Sequence, residues 1–397
     1  MKDRISIILP MFLVFLTGCE QNELPDDTVP ASDRRTVLLY LGTDNNFNPE
    51  ATEKIRQLTD SWNGVIDGNL LVYSDTSDSP VLVHIYHSRL RGNVADTIET
   101  YPPENSAAPT TLTRVLNRTR EHRPAASYGL IILSHATGWL PAEMSEPPRL
   151  KAAIQDKGTD ETYNYMELSD FADAIPYKLD FIIFDACFMA SVEVAYELKE
   201  KTDYIVASPA EVLAPGFVYS SMMRHLFKPE ADLIAVAREF YEYYDNQNDV
   251  RRSATVSVTE TAGLEALAVI CHSIFDAESS EFQETAGQAR HKISIESIQC
   301  FGFGNQKIYF DSGSYIKQLS SEQYDDFQIA LEKCIVYKAN TDNYYSAGTG
   351  TLQIIREFSG LSIYIPQPAY LEANEAYKKL KWATRTRPSL MRNVILF

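Results

Sequence analysis

The chain has 397 residues, with 36 lysines and arginines against 54 aspartates and glutamates and a formal charge of −18 at pH 7. So acidic a surface argues against nucleic acid, and against anionic lipid, as partners held by charge. Five cysteines with no C-x-x-C pair argue against a cysteine-ligated metal, and the length suits one large α/β domain with additions, or two units.

In chain order, Lys2 and Arg4 precede an apolar run, Ile5 to Leu16, that is too short to span a membrane as a mature helix. The run ends in Leu16-Thr17-Gly18-Cys19, which resembles a bacterial lipobox. The expectation is a signal peptide over 1–18, removed before Cys19, with lipid on Cys19 holding the protein in the outer membrane on its periplasmic or surface side. Residues 19–34 are polar, acidic and proline-containing without periodicity, and read as a flexible tether.

A first strand is predicted over Thr36–Leu41, followed by the turn Gly42-Thr43-Asp44-Asn45-Asn46, a helix over Ala51–Trp62, and strands over Asn69–Ser74 and Val81–Tyr86 with His84 and His87 at the flanks of the latter. A helix over Thr110–Glu121 leads to an apolar strand, Tyr128–Leu133, which runs into Ser134-His135-Ala136-Thr137-Gly138-Trp139. The front of the next segment, Pro141 to Lys151, has the composition of an exposed loop, and Met166–Ile175 reads as a helix. Phe181–Phe184 is an unbroken apolar run, as expected of a strand buried on both faces of a parallel sheet. It continues into Asp185-Ala186-Cys187-Phe188-Met189-Ala190, after which Met189, Val192, Ala195, Tyr196 and Leu198 fall on one helical face. Further on, strands are expected at Tyr204–Ser208 and Ser253–Val258, helices at Leu226–Tyr244 and Gly263–Ala277, and a tail from Lys378 that packs a helix back on the core. An oxidising compartment permits a disulfide among Cys271, Cys300 and Cys334, and the sequence does not choose a pair.

Two stretches share one grammar. His135 and Cys187 each follow a buried strand, and two such strands in one sheet would bring them side by side at one edge. Cysteine with histidine is the minimal set for attack by a thiolate. A helix beginning at Cys187 would add unpaired N–H groups and a partial positive charge, both of which favour that thiolate. A lone cysteine is most often inert packing, so the paired position carries the functional reading. From the residues alone, Asp185 suits either a helix cap or a pocket carboxylate.

Ser134-His135-Ala136-Thr137-Gly138-Trp139 resembles the Ser-His-Gly-x-Gly-Trp of the clostripain-like (C11) cysteine peptidases, in the caspase–gingipain–legumain clan, and Asp185-Ala186-Cys187-Phe188-Met189-Ala190 resembles their Asp-Ala-Cys-x-Met-Ala. The likeness runs from about Thr36 to about Gln367, and within it Gly360–Pro366 resembles the family's Gly-Leu-Ser-Ile-Tyr-Phe-Pro strand. It implies an α/β fold: a caspase-like three-layer sandwich with a mostly parallel central sheet and a C-terminal extension of helices and strands. The peptidase domain would span 35–367, with a tail over 368–397.

The resemblance further implies a nucleophile at Cys187 and an acid/base at His135, with the oxyanion held by the N–H groups of Cys187 and Ala136. Asp185 would bind a basic residue before the scissile bond, Arg over Lys, with Glu211 as a second acid. The family has Gly where Ala136 stands, so a turn needing positive φ would be strained here. The pocket loop also departs from the family's Pro-Gly-x-Gly, since Gly216 is present and the second glycine is not. Relatives cut themselves after a basic residue, which points to 140–165 as an autoprocessing segment with Arg149, then Lys151, then Lys157 as cleavage sites. No cofactor or structural metal is expected. Some relatives need calcium, for which Asp156-Lys157-Gly158-Thr159-Asp160 is the stretch that offers carboxylates. The expected protein is an exported, monomeric, membrane-anchored endopeptidase acting on protein or peptide substrates. The alternative is a catalytically impaired lipoprotein that uses the same fold for binding.

Overall fold

Short apolar runs that end in small or polar residues build the strands, and helices with one apolar face return the chain to the start of the next strand. A computed structural model describes residues 34–42, 48–62, 67–75, 79–142, 154–157, 163–284, 293–302 and 304–388. The expected signal peptide, Cys19, the tether apart from Arg34, the Thr43–Asn46 turn, Arg149 and Lys151 lie outside them. All described residues fall in one unit that spans Ala31–Phe397.

The first half of this unit runs β1 (Arg35–Gly42), α1 (Asn48–Ser61), β2 (Asn69–Asp75), β3 (Val81–Ser88), β4 (Gly92–Thr100), α2 (Pro109–His122), β5 (Ser127–Leu133), β6 (Ile154–Lys157), β7 (Tyr163–Met166), α3 (Leu168–Ala174), β8 (Leu179–Asp185), α4 (Val192–Leu198) and β9 (Thr202–Ala207). The second half adds α5 (Tyr219–Leu226), α6 (Leu233–Asp245), β10 (Thr255–Glu260), α7 (Leu264–Glu284), β11 (Phe310–Asp311), α8 (Ser312–Leu319), α9 (Tyr324–Glu332), β12 (Ile335–Asn340), β13 (Asn343–Ser346), β14 (Thr351–Ile354), β15 (Ser362–Ile363), α10 (Leu371–Lys379) and α11 (Lys381–Thr386).

Nine strands form one sheet in the order β12-β10-β9-β8-β5-β1-β2-β3-β4. The central five, β9 to β2, are parallel, and each edge carries two antiparallel strands. Alternate residues of the central strands enter opposite cores, as the two-residue period of a strand requires. Leu38, Tyr40, Leu130, Ile132, Ile182 and Phe184 join one cluster with α2, α3, α4 and the C-terminal helices. Val37, Leu39, Leu41, Ile131, Leu133, Phe181 and Ile183 join the other with α1, α5 and α6. A layer of helices thus covers each face of the sheet, in agreement with the expected three-layer α/β fold.

Several expectations are corrected. The helix expected from Met189 begins only at Val192, capped by the Ser191 side chain, which accepts from Val194 N. The helix expected over Leu226–Tyr244 begins only at Leu233, as α6, and Leu226 instead ends α5, because Pro229 cannot continue a helix and Asp232 caps a new one through Ala235 N. His84 and His87 lie inside β3 rather than at its flanks, and the strand expected over Gly360–Pro366 is reduced to Ser362–Ile363. The polar edge strand β4 and the hairpin β6–β7 were not anticipated. β4 carries the residues GNVADTIET and is half-exposed throughout, so it lacks an apolar run to mark it. The tail does pack back: Trp382 of α11 and Tyr377 of α10 are fully buried. Cys187, Cys271, Cys300 and Cys334 are all unpaired thiols.

Candidate active site

β5 and β8 are neighbouring parallel strands with Leu133 opposite Asp185. Two residues further on, both chains have left the sheet at its carboxyl edge, and there stand His135 and Cys187. The two side chains whose pairing the sequence suggested therefore leave adjacent strands at the same level.

The turns that carry them are locked together. Gly138 has φ +65°, and a Cβ on it would lie 2.7 Å from the carbonyl oxygen of Phe188. Phe188, directly after Cys187, has φ +60°, a conformation that a bulky side chain adopts only when its surroundings impose it. Its ring is fully buried and stacks on Tyr309 at 4.4 Å, while the Tyr309 hydroxyl donates to the Thr137 carbonyl at 2.7 Å. One tyrosine thus braces the histidine turn and the cysteine turn together. The Phe188 N–H donates to Ala210 O at 3.1 Å and the Ala190 N–H to Ser208 O at 3.0 Å. These bonds tie the segment after Cys187 to the end of β9, and they are why it does not start a helix at once. On the other side, Ser362 N donates to Ala190 O at 2.9 Å.

Cys187 consequently sits four residues before the helix cap, without the helix-terminus support expected for a thiolate. Its sulfur faces Val212, whose N–H donates to it at 3.3 Å and whose carbonyl lies 3.8 Å away. Burial, reinforced by the charges of Glu211 and Asp185, pushes the thiol up to about 12, against the pull of the Val212 N–H. Burial lowers the His135 imidazole to about 4. At neutral pH the resting pair is therefore a thiol and a neutral imidazole. Among the described residues, the N–H groups of Cys187 and Ala136 donate to no backbone carbonyl. Ala136 is buried and is not among the positive-φ residues, so the strain expected there is absent; the left-handed positions fall on Gly138 and Phe188.

Asp185 ends β8 and is 3 % exposed. It caps no helix. Phe217 N donates to its Oδ2 at 3.2 Å, and the Tyr219 hydroxyl lies beside it outside hydrogen-bonding geometry. Burial raises its pKa, countered by the charge of Lys54 and the Phe217 N–H. Gly216 lies over the carboxylate with φ +61°, and a Cβ there would come within 2.6 Å of Asp185 Cγ. Glu211 is also buried, and both its oxygens accept from the Ala347 N–H at 3.1 and 3.0 Å, which holds it against the tip of the β13–β14 hairpin. Asp156 is buried too, and accepts from Ser106 N at 2.9 Å and Ser106 Oγ at 2.6 Å. Among the described residues no group of three or more His, Cys, Asp or Glu side chains is placed to hold a metal.

Lys54 was not anticipated. It projects from α1 and is 5 % exposed. Its ammonium donates to the carbonyls of Pro215 and of Phe217, the latter at 3.3 Å, and lies 4.3 Å from the centre of the Tyr219 ring. A signal was present: Ala51, Lys54 and Leu58 share the buried face of α1, so a lysine interrupts an apolar stripe.

Comparison with known proteins agrees with this architecture. The sequence profile of the Clostripain family (Peptidase C11) matches residues 39–385. The fold is similar to the X-ray structure of an inactive zymogen C11 protease from Parabacteroides distasonis, at 34 % identity and TM-score 0.78, covering 90 % of this chain and 99 % of that one. It is equally similar to a secreted C11 cysteine protease from Bacteroides thetaiotaomicron solved with an irreversible peptide inhibitor, at 27 % identity and TM-score 0.78 over 90 % and 99 % of the two chains. Clostripain of Hathewaya histolytica is 27 % identical over 219 residues, which is 47 % of this chain and only 41 % of clostripain's own length. With a family profile spanning most of its length, the chain belongs to the clostripain family of C11 cysteine peptidases.

Proposed function

We propose that this chain is an exported cysteine endopeptidase that cleaves after basic residues, Arg over Lys. The observation that carries the reading is the matched departure of His135 and Cys187 from adjacent parallel strands. The Cys187 sulfur attacks the scissile carbonyl carbon as His135 takes the thiol proton. The N–H groups of Cys187 and Ala136 receive the developing oxyanion. The imidazolium then gives its proton to the departing amine, leaving an acyl thioester on Cys187. A water molecule, deprotonated by His135, hydrolyses the thioester and returns the thiol. Asp185, buried and backed by the Phe217 N–H, supplies the charge that selects a basic side chain, and Glu211 lies one residue from Val212 as a second acid. No cofactor takes part. The chain is made as a zymogen and cuts itself near Arg149, or at Lys151, and it acts as a monomer on proteins or peptides while lipid on Cys19 holds it to the outer membrane.

Fluorogenic peptides ending in Arg, Lys, Asp or Ala, offered to the full chain and to a Cys187→Ala twin, test this. Arg-selective turnover and a clip near Arg149, both absent from the twin, are expected. Turnover on the Asp or Ala peptide instead overturns the role of Asp185 and keeps that of Cys187. A second reading, a binding protein on an impaired peptidase fold, is favoured by the neutral thiol held against Val212. It becomes the better one if no peptide is cut while the chain stays intact.

A further inference from the structure

The surroundings of the Lys54 ammonium have the chemistry of a receptor for a basic side chain. Two backbone carbonyls, Pro215 O and Phe217 O, accept from it. The face of Tyr219 lies 4.3 Å from it. The buried Asp185 carboxylate, itself raised by burial, is stabilised in its charged form by Lys54 more than by any other group. Lys54, Pro215, Gly216 and Phe217 also line an open groove of about 640 Å³. Phe217 joins the two groups: its carbonyl accepts from Lys54 at 3.3 Å and its N–H donates to Asp185 Oδ2 at 3.2 Å.

We propose that Lys54 is a specificity-determining residue. Its ammonium occupies the seat beside Asp185 that a substrate's basic side chain takes, and the substrate must displace it. This rests on the reading of Asp185 as the selecting carboxylate. A seat filled by the chain's own cation lowers the apparent affinity for a basic side chain in proportion to the fraction of time it is vacated. It leaves neutral side chains, which gain nothing from Asp185, unaffected. Lys54 is a positioning residue for the unliganded site and touches no reacting atom.

The test is Lys54→Met, which keeps the stem and removes the charge, with Lys54→Arg as the variant that keeps the seat filled. KM for Arg and Lys peptides is expected to fall by about tenfold in Lys54→Met at unchanged kcat, and to stay at the wild-type value in Lys54→Arg. KM for an Ala peptide is expected to hold in both. An unchanged or higher KM for the Arg peptide in Lys54→Met, or an equal shift for the Ala peptide, overturns the proposal and leaves Lys54 as a structural latch on the loop. A second readout needs no catalysis: n-butylguanidinium is expected to raise the thermal unfolding midpoint of Lys54→Met and not that of the wild type. Stabilisation of the variant without cleavage of any peptide sinks the peptidase reading and keeps the seat. Equal stabilisation of both proteins, or of neither, sinks the seat.

Discussion

The backbone N–H of Val212 donates to Cys187 Sγ at 3.3 Å, so the loop after β9 meets the thiol of the candidate site directly. The same loop places Gly216 over Asp185 and ties its Pro215 and Phe217 carbonyls to Lys54. The segment after β9 thus touches both the expected nucleophile and the expected selecting acid.

With the thiol pushed up to about 12, little thiolate exists at neutral pH. Alkylation of Cys187 by iodoacetamide at pH 7.5 is expected to be at least about 10³-fold slower than that of an unstructured cysteine peptide. It should rise about tenfold for each pH unit up to pH 9. Mass spectrometry of the Cys187 peptide over time measures it, and a rate near that of the free peptide would show a thiolate already formed.

Gly216→Ala meets two obstacles, a positive φ and the Asp185 carboxylate. A loss of about 1 to 3 kcal/mol is expected, together with weaker turnover of Arg peptides, because the loop must lift off Asp185. Thermal unfolding and peptide kinetics read the two effects separately. An unchanged midpoint would mean that the loop is not held against the carboxylate.

Phe188 pays for its left-handed backbone with buried ring contacts. Phe188→Gly relieves the backbone, by roughly 1 kcal/mol, but gives up the ring and its stacking on Tyr309, worth about 3 to 5 kcal/mol in comparable deletions. Net destabilisation by about 2 kcal/mol or more is expected in urea unfolding, with loss of activity as the two turns separate. A variant as stable as the wild type would contradict this balance.

Glu193, on α4, is fully buried. One oxygen accepts from Tyr364 N at 2.8 Å, and the other has no hydrogen-bond partner. Burial raises its carboxyl from 4.5 to about 7, against the pull of the Tyr364 N–H, the Ser191 hydroxyl and the Arg387 charge. A raised folded pKa means that the proton is held more tightly in the native state. The contribution to stability is full below about pH 4.5 and is lost as pH rises through about 7, a swing of roughly 3 kcal/mol at about 1.4 kcal/mol per pH unit. Glu193→Gln keeps the acceptor for Tyr364 and removes the titration. Its stability relative to wild type is expected to increase between pH 4.5 and 7 and to level off above. A constant difference across that range would contradict the shift.

The central strands were legible because a strand buried on both faces needs an unbroken apolar run, and Val37–Leu41, Leu130–Leu133 and Phe181–Phe184 are such runs. The polar edge strand β4 was not, since half-exposed pairing leaves no apolar mark. The helix after Cys187 was placed too early because Met189 fits the helical period. The hydrogen bonds from Phe188 to Ala210 and from Ala190 to Ser208 that delay it join residues about twenty apart in sequence.

By itself the sequence determined the parallel core, the two strand-end motifs and the family they belong to, because these depend on local apolar period and on residues close together in the chain. Only the tertiary structure decided the state of the site. It made the thiol neutral by burying it beside Glu211 and Asp185, closed Gly216 over Asp185, moved the backbone strain from Ala136 to Phe188, and brought Lys54 from α1 to the loop that covers that carboxylate. Burial and charge depend on which distant segments meet, and no local pattern encodes that meeting.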